Sequence, residues 1–312
     1  MDALSVLLEN VHLCGTKYYR INAGGNWSYS VDRKDTILFY LVLSGSFYID
    51  VKDEVRKAEV GDTIMLSNAY HHTSYALDHH GDNAKSLDDV CSVKSKKDII
   101  EFNKVDEVNA SFILIECQYD KEMVYPLLSV LPTILPELTE DSDGRFGVMD
   151  VEVKLLRLES EQERMGKTAV INHWAGIMMI ECLRTYIEGL PEATASWLQA
   201  LRDPYLTKAL KAMHHEPSRN WTIHKLAEVA GMSRSSFAQR FKDVVGMPPL
   251  TYLIDYRLRL AARYLRLQQN SISRISELVG YASDSTFSQA FKRVYGVSPN
   301  AYRQQFQQQL RA

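Results

Sequence analysis

No stretch of this sequence is apolar for long enough to cross a bilayer. The longest such run, around Trp174 to Ile180, falls far short of the roughly 20 residues that a spanning helix needs. The start, Met1-Asp2-Ala3-Leu4, lacks the basic region and the long apolar core of a secretion signal. Cysteine is scarce. Cys14, Cys91, Cys117 and Cys182 are scattered without metal-type spacing, so they are expected as reduced thiols in a cytoplasmic protein. What remains is ordinary globular material: 312 residues, 46% hydrophobic and 24% charged, enough for two domains with their own cores.

The net charge of −3 conceals an asymmetry. From Tyr205 to Ala312 there are 16 Lys+Arg against 6 Asp+Glu, a net of +10, while the first 204 residues carry −13. A basic third joined to an acidic two-thirds fits a polyanion-binding module attached to a domain of another kind.

The basic third contains a repeat. Phe237-Ala-Gln-Arg-Phe241-Lys242-Asp-Val244-Val-Gly246 recurs fifty positions later as Phe287-Ser-Gln-Ala-Phe291-Lys292-Arg-Val294-Tyr-Gly296, and Pro249 and Tyr252 recur as Pro299 and Tyr302. Upstream, Leu226-Ala-Glu-Val229-Ala-Gly231 matches Ile275-Ser-Glu-Leu278-Val-Gly280 at an offset of 49. Each copy reads as helix, tight turn, helix. Thr222 caps a short helix with Leu226 and Val229 on one face, and Gly231 supplies the sharp exit. Ser233 then caps a second helix with Phe237, Phe241 and Val244 at helical spacing, ended by Gly246. In the other copy Ser283, Phe287, Phe291, Val294 and Gly296 take those parts. The apolar faces are expected to pack on the first helices. Arg234, Ser235, Gln239 and Lys242 in one copy, and Ser285, Ser288, Gln289 and Lys292 in the other, are left outside.

Such a helix fits the DNA major groove, where Gln and Ser read base edges while Lys and Arg neutralise phosphates. Between the copies, Leu250 to Leu267 is a helical pattern carrying Arg257, Arg259, Arg263 and Arg266, a spacer that would hold the two reading helices apart. In successive grooves on one DNA face they would sit about 34 Å apart. The blander alternatives stay open. Ser233 and Ser283 act as caps, Lys242 and Lys292 could be surface lysines, and Asp284 either meets a cytosine amino group or caps its helix.

The segment Trp221 to Phe306, above all Gly280-Tyr-Ala-Ser-Asp-Ser-Thr-Phe287-Ser-Gln-Ala-Phe291-Lys-Arg-Val-Tyr-Gly296-Val-Ser-Pro299-Asn-Ala-Tyr302-Arg303, resembles the DNA-binding domain of AraC/XylS-type regulators. By that resemblance, base contacts fall on Ser235, Ala238 and Gln239 and on Asp284, Ser285, Ser288 and Gln289. The family commonly has Arg where this chain has Gln239 and Gln289, and Gln pairs more naturally with adenine. The resemblance implies a bacterial regulator that binds double-stranded promoter DNA and places RNA polymerase, more often activating than repressing.

The acidic part reads as β-rich. Thr36 to Leu43 is a buried-strand run ended by Ser44-Gly45, and Ser46 to Val51 follows, giving a hairpin. Val60-Gly61-Asp62 is a turn before a strand at Thr63–Leu66, and Ala110 to Tyr119 is a later strand. Asp78 to Asn109 reads as a long irregular insertion. The order resembles the cupin-like sensor domains of one AraC subgroup. The expected fold is therefore α+β: a cupin-like β-barrel with helices (1–140), a helical connector (141–203) and an all-α DNA-binding domain (204–312) with helix-turn-helix units near 222–246 and 272–296.

An enclosed barrel with Phe39, Tyr48, Tyr70 or His71 inside could bind a small effector, or these side chains could simply fill the core. One of His71 and His72 should face the interior and the other solvent. Metal-binding cupins use a His-x-His pair with a later Glu and a distant His. The adjacent pairs His71-His72 and His79-His80 lack that pattern, so no metal, cofactor or catalytic residue is expected. The competing reading is a cupin-type metal-dependent enzyme fused to a DNA-binding module. Cys14, Cys91 and Cys117 are the candidates for oxidant sensing, Cys91 having Lys94, Lys96 and Lys97 nearby. Ile171, Trp174, Met178, Cys182 and Tyr186 form an apolar stripe that serves either packing within the chain or a homodimer.

Overall fold

A computed structural model describes residues 13–309 apart from 53, 68–70, 79–82, 93–98, 103–107, 136–154, 157, 160–163 and 192–197. The chain divides into two compact units, one formed by Leu13–Tyr119 with Leu131–Gly189, the other including Asp120–Val130 with Leu190–Ala312.

The first unit is a curled sheet, a half-barrel with nine strands among its described residues: β1 (Leu13–Ala23), β2 (Ser28–Asp32), β3 (Thr36–Val51), β4 (Glu54–Glu59), β5 (Thr63–Leu66), β6 (His71–Ala76), β7 (Lys85–Ser86), β8 (Ile99–Phe102) and β9 (Ala110–Tyr119). Their order is β7-β2-β6-β3-β9-β1-β8, with β4 and β5 also paired to β3. The hairpin expected at Ser44-Gly45 is instead one long strand. β3 pairs with β9 and β5 through its first half and with β4 and β6 through its second. A register shift between Val42 and Ser44 bends the strand at that point. Gly45 adopts φ +72°, and a Cβ there would lie 1.8 Å from the Asn109 carbonyl oxygen, so only glycine lets the sheet fold over itself. The true hairpin joins β3 to β4.

The run Thr36–Val42 is buried on both faces, as its unbroken apolar character requires. Leu38, Tyr40 and Val42 point into the aromatic core with Trp27, Tyr29, Phe47 and Phe112. Phe47 and Phe112 stack with centroids 4.4 Å apart. The stretch from Asp78 to Asn109 is not a plain insertion: among its described residues are β7, β8 and the short helix α1 (Leu87–Ser92). Helix α2 (Lys121–Leu128) belongs to the helical unit, and α3 (Lys167–Gly189) lies against β1 and β9. The face α3 buries is Ile171, Ala175, Met178, Met179, Cys182, Leu183 and Ile187. Trp174 and Tyr186, expected on that stripe, are only half-buried.

Among its described residues the second unit adds to α2 eight further helices: α4 (Gln199–Arg202), α5 (Leu206–His215), α6 (Ile223–Ala230), α7 (Arg234–Val245), α8 (Pro249–Leu267), α9 (Ile272–Leu278), α10 (Asp284–Tyr295) and α11 (Pro299–Gln309). Two cores form. Leu206, Leu210, Met213, Trp221, Leu226, Phe237 and Phe241 surround the start of α8 through Tyr252 and Leu253. Ile275, Val279, Phe287 and Phe291 surround its later part through Tyr256, Leu260, Ala261 and Leu265. α8 is thus a shared wall, with Pro249 at its first position, where a missing N–H costs nothing.

Candidate nucleic-acid interface

Each repeat folds by the same local chemistry. The Thr222 hydroxyl accepts from the Lys225 N–H and starts α6, while the Ser233 and Ser283 hydroxyls accept from the N–H groups of Ser236 and Thr286 and start α7 and α10. Both first helices close in the same reciprocal way. Met232 N–H donates to Ala227 O (2.9 Å) and Gly231 N–H to Glu228 O (3.0 Å), and Tyr281 N–H donates to Ser276 O and Gly280 N–H to Glu277 O, both at 3.0 Å. Gly231 and Gly280 sit at φ +70° and +83°.

Behind α7 and α10 the Phe237–Phe241 and Phe287–Phe291 pairs are wholly buried. The inward face is narrower than the spacing implied. Val229, Val294 and the half-buried Val244 and Leu278 lie toward its edge, and Val229 and Val294 are 39% and 50% exposed. Ala227 with Ala230, and Ser276 with Val279, fill the turns instead, because small side chains let the two helices of each unit approach closely.

The outward faces match in both copies. Arg234, Ser235, Gln239 and Lys242 are exposed on α7, and Asp284, Ser285, Gln289 and Lys292 on α10, with Ala238 and Ser288 half-buried at equivalent places. The copies differ in two ways that bear on chemistry. The first position of the helix is Arg234 in one and Asp284 in the other, where the carboxylate lies in the first turn and favours the helix dipole. The Gln239 amide N–H donates to Asp243 Oδ1 at 2.8 Å, whereas the residue matching Asp243 in the second copy is Arg293. Asp243 therefore orients the Gln239 amide, which keeps its carbonyl and its other N–H for a base edge.

Arg257, Arg259 and Arg266 of α8 are tied into the fold. Arg257 donates to the carbonyls of Pro217 and Arg219, Arg259 pairs with Asp255, and Arg266 bonds Asp120 and the Tyr302 hydroxyl. Glu122 on α2 accepts from the Tyr295 hydroxyl at 3.0 Å. Arg240 bonds Asp203 at 2.6 Å, and the other oxygen of Asp203 caps α5. His214, stacked 4.2 Å from Tyr256 and 2.8 Å from the Tyr252 hydroxyl, is held neutral. Burial, with Arg259 adding to it, pushes its pKa down to about 3.

In the sheet unit the side chains proposed from sequence do not converge. Phe39 is buried but faces away from the aromatic core, on the opposite side of β3 from Tyr40. Tyr48 is half-buried and pairs with Tyr75, 5.6 Å between centroids. His71 is exposed, and Tyr70 lies outside the described residues. The inward histidine is His72, whose Nε2 is 2.6 Å from the Tyr40 hydroxyl. That hydroxyl also meets Ser74 Oγ at 3.1 Å and accepts from the Tyr29 hydroxyl at 3.1 Å. Burial raises both tyrosines, which stay protonated. In the run Thr36–Val42, buried on both faces, residue types do not tell which neighbour faces the aromatic core, and on β6 alternation alone does not tell which of His71 and His72 points inward.

Of the candidate thiols, Cys91 sits where thiolate is disfavoured. Cys117 is buried, its Sγ 3.8 Å from the Thr16 hydroxyl. Burial first, then the charges of Glu116 and Asp88, push Cys91 up to about 11. Arg33 lies among these groups, its Nε 3.1 Å from buried Glu116 and its Nη2 2.6 Å from Asp88. The Cys14 side chain, Lys94, Lys96, Lys97, His79 and His80 lie outside the described residues. Among the described residues no three metal-ligating side chains converge, and no helix is long and apolar enough to cross a membrane.

A family described as a helix-turn-helix domain matches residues 226–305, and one described as a cupin matches residues 2–188. The chain is similar to the HTH-type transcriptional regulator AlkR of Acinetobacter baylyi, 32% identical over 311 residues and spanning 98% of this chain and 100% of that one. It is also 32% identical to a putative AraC-like transcription regulator of Streptomyces lividans, over 91% of this chain and 90% of that one. A solved structure of the AdpA DNA-binding domain in complex with a target DNA is 31% identical, covers 34% of this chain and 96% of that one, and has a TM-score of 0.33. The chain belongs to the AraC-like family of helix-turn-helix transcriptional regulators, with a DNA-binding helical region and a cupin amino-terminal region.

Proposed function

We propose that this regulator reads a two-part site on duplex DNA with α7 and α10 in successive major grooves, that it activates transcription by placing RNA polymerase, and that the sheet unit adjusts this in response to a small molecule or chemical signal. The observation that carries the reading is the duplicated outward face, Ser235-Gln239-Lys242 and Ser285-Gln289-Lys292, backed in each copy by two fully buried phenylalanines. A recognition surface needs polar side chains on a rigid helix whose other face is anchored, and both copies meet that requirement. Gln239 and Gln289 would read adenines, Ser235, Ser285 and Ser288 base edges, and Lys242 and Lys292 phosphates. Asp284 serves its helix start, and Ala238 offers a methyl contact to thymine. In the sheet unit, the buried Tyr29–Tyr40–His72–Ser74 hydroxyl and imidazole chain is the polar group that an effector entering the aromatic core would meet.

The test is genome-wide mapping of bound sites in the native host, with and without candidate ligands or oxidant, followed by transcription from a mapped promoter with purified RNA polymerase. Enrichment of a motif with two conserved blocks, and transcript gained on adding protein, are expected. Binding without a defined motif would end the proposal of sequence-specific reading, and transcript lost would reverse the sign of regulation. The stoichiometry of the complex decides whether one chain or a homodimer occupies a site.

A further inference from the structure

The two turn glycines of the repeat have the same backbone conformation and different surroundings. At Gly231 (φ +70°) an added Cβ would meet nothing within 4 Å. At Gly280 (φ +83°) it would lie 2.7 Å from Ser218 Cα, 2.8 Å from Ser218 O and 2.9 Å from Arg257 Nη2. Gly231 therefore serves only its own turn. Gly280 also makes a contact between units, because Ser218 lies in the loop that leads into the first one.

The same loop is held from α8. Arg257 Nε donates to Pro217 O at 2.7 Å and its Nη2 to Arg219 O at 2.9 Å, so one guanidinium bridges the carbonyls on either side of Ser218. The loop is itself stiff. Trp221 Nε1 donates to Glu216 O, Arg219 pairs with the Glu216 carboxylate, and the Arg219 guanidinium stacks 4.3 Å over the Trp221 ring. Arg257 falls where α8 passes from the first core, which takes Tyr252 and Leu253, to the second, which takes Tyr256 and Leu258. A shared helix alone leaves two bodies free to flex about a single attachment. A second attachment away from the helix axis removes that freedom.

We propose that Arg257 and Gly280, closed on the loop at Ser218, form the joint that sets the separation and angle of α7 and α10, and so decides which spacing between half-sites this regulator accepts. The proposal rests on the reading that both helices enter DNA. Moving one half-site by a single base pair displaces its groove by about 3.4 Å and turns it by about 36° around the duplex, since about 10 base pairs make one turn of about 34 Å. A rigid joint cannot follow that movement without losing one helix's contacts, and a loosened one can. Arginine is required because its planar fork reaches both carbonyls, whereas a lysine ammonium on its flexible stem reaches one at a time.

The experiment uses the full chain. A two-part site is first obtained by selection from random duplexes. Affinities are then measured for that site and for versions with the half-sites one base pair closer or farther, using wild type, Arg257→Lys, Arg257→Ala, Gly280→Ala and Gly231→Ala. Wild type should prefer its own spacing by about tenfold or more. Arg257→Ala and Gly280→Ala should narrow that preference to about threefold or less, with Arg257→Lys between. Gly231→Ala meets the same left-handed strain without the contact, and should weaken all three duplexes in parallel. Should Gly280→Ala not fold, as judged by its melting curve, the Arg257 variants carry the measurement. An unchanged spacing preference in the Arg257 variants, or an equal narrowing in Gly231→Ala, overturns the joint. Failure of the selection to return a two-part motif overturns the DNA reading itself, and the joint with it.

Discussion

Phe291→Ala tests whether the second recognition helix is held by its buried face. The Phe291 ring is wholly buried, stacks 4.4 Å from Tyr295, and lies 5.4 Å from Tyr302 and 5.7 Å from Phe287. Deleting it removes roughly 150 Å² of buried apolar surface, about 4 kcal/mol at roughly 25 cal/mol per Å². The neighbours are themselves anchored, Tyr295 and Tyr302 by Glu122 and Arg266, so collapse into the void is restricted and the loss should fall at about 3–5 kcal/mol. That is most of the roughly 5 kcal/mol a small helical unit has to lose. Hydrogen exchange followed by peptide should show protection lost across α9 to α11 and largely kept in α6 and α7, with affinity for the full site falling accordingly. Phe241→Ala should produce the mirror image in the first unit. A Phe291→Ala protein that melts within about 2 °C of wild type and keeps its α10 protection would refute the assignment of this face as the anchor.

Lys292→Gln should weaken binding to every duplex and lower the slope of log affinity against log salt by about 0.9, with base preference unchanged; a changed preference would make Lys292 a reader of bases. Gln289→Ala should instead relax the selected sequence at one or two positions by about 1–3 kcal/mol, measured by selection with the variant. His214 gives a pH signature. Its imidazole is neutral in the fold, with a pKa near 3, and takes a proton near 6.5 once unfolded, so the unfolded chain binds the extra proton between those values. Its contribution is intact above about pH 6.5 and declines on acidification, costing about 2 kcal/mol by pH 5. Denaturant unfolding of wild type and His214→Phe at pH 5 and 7 should show the difference, and identical pH slopes would contradict it. With its thiol raised to about 11, Cys91 should alkylate at neutral pH about a hundredfold more slowly than an ordinary thiol, and Cys91→Ser should leave any oxidant response of DNA binding unaltered. Rapid labelling of Cys91 would reverse that reading.

Much of the helical unit was legible in the sequence, because its determinants are local. Caps lie within three residues of what they cap, a left-handed exit demands glycine at one position, and an anchored helix repeats its apolar residues every three or four places. Hence Thr222, Ser233, Ser283, Gly231, Gly280 and the four phenylalanines were identifiable, and so were the polar faces opposite them. The sheet unit yielded less. Gly45 marks a bend rather than a reversal because of how closely Asn109 approaches it, and Asn109 is remote in the chain. His72 rather than His71, and Tyr40 rather than Phe39, face the aromatic core for a similar reason: alternation tells that neighbours point oppositely, while the partner strands decide which way is in.

Two capped, glycine-turned units with matching outward residues follow from local chemistry, since each of those features is settled within a few residues of chain. What the twin glycines and the linker arginines do emerges from packing. Gly280 and Arg257 converge on the loop at Ser218, because such meetings depend on segments brought together by packing and not by their order along the backbone.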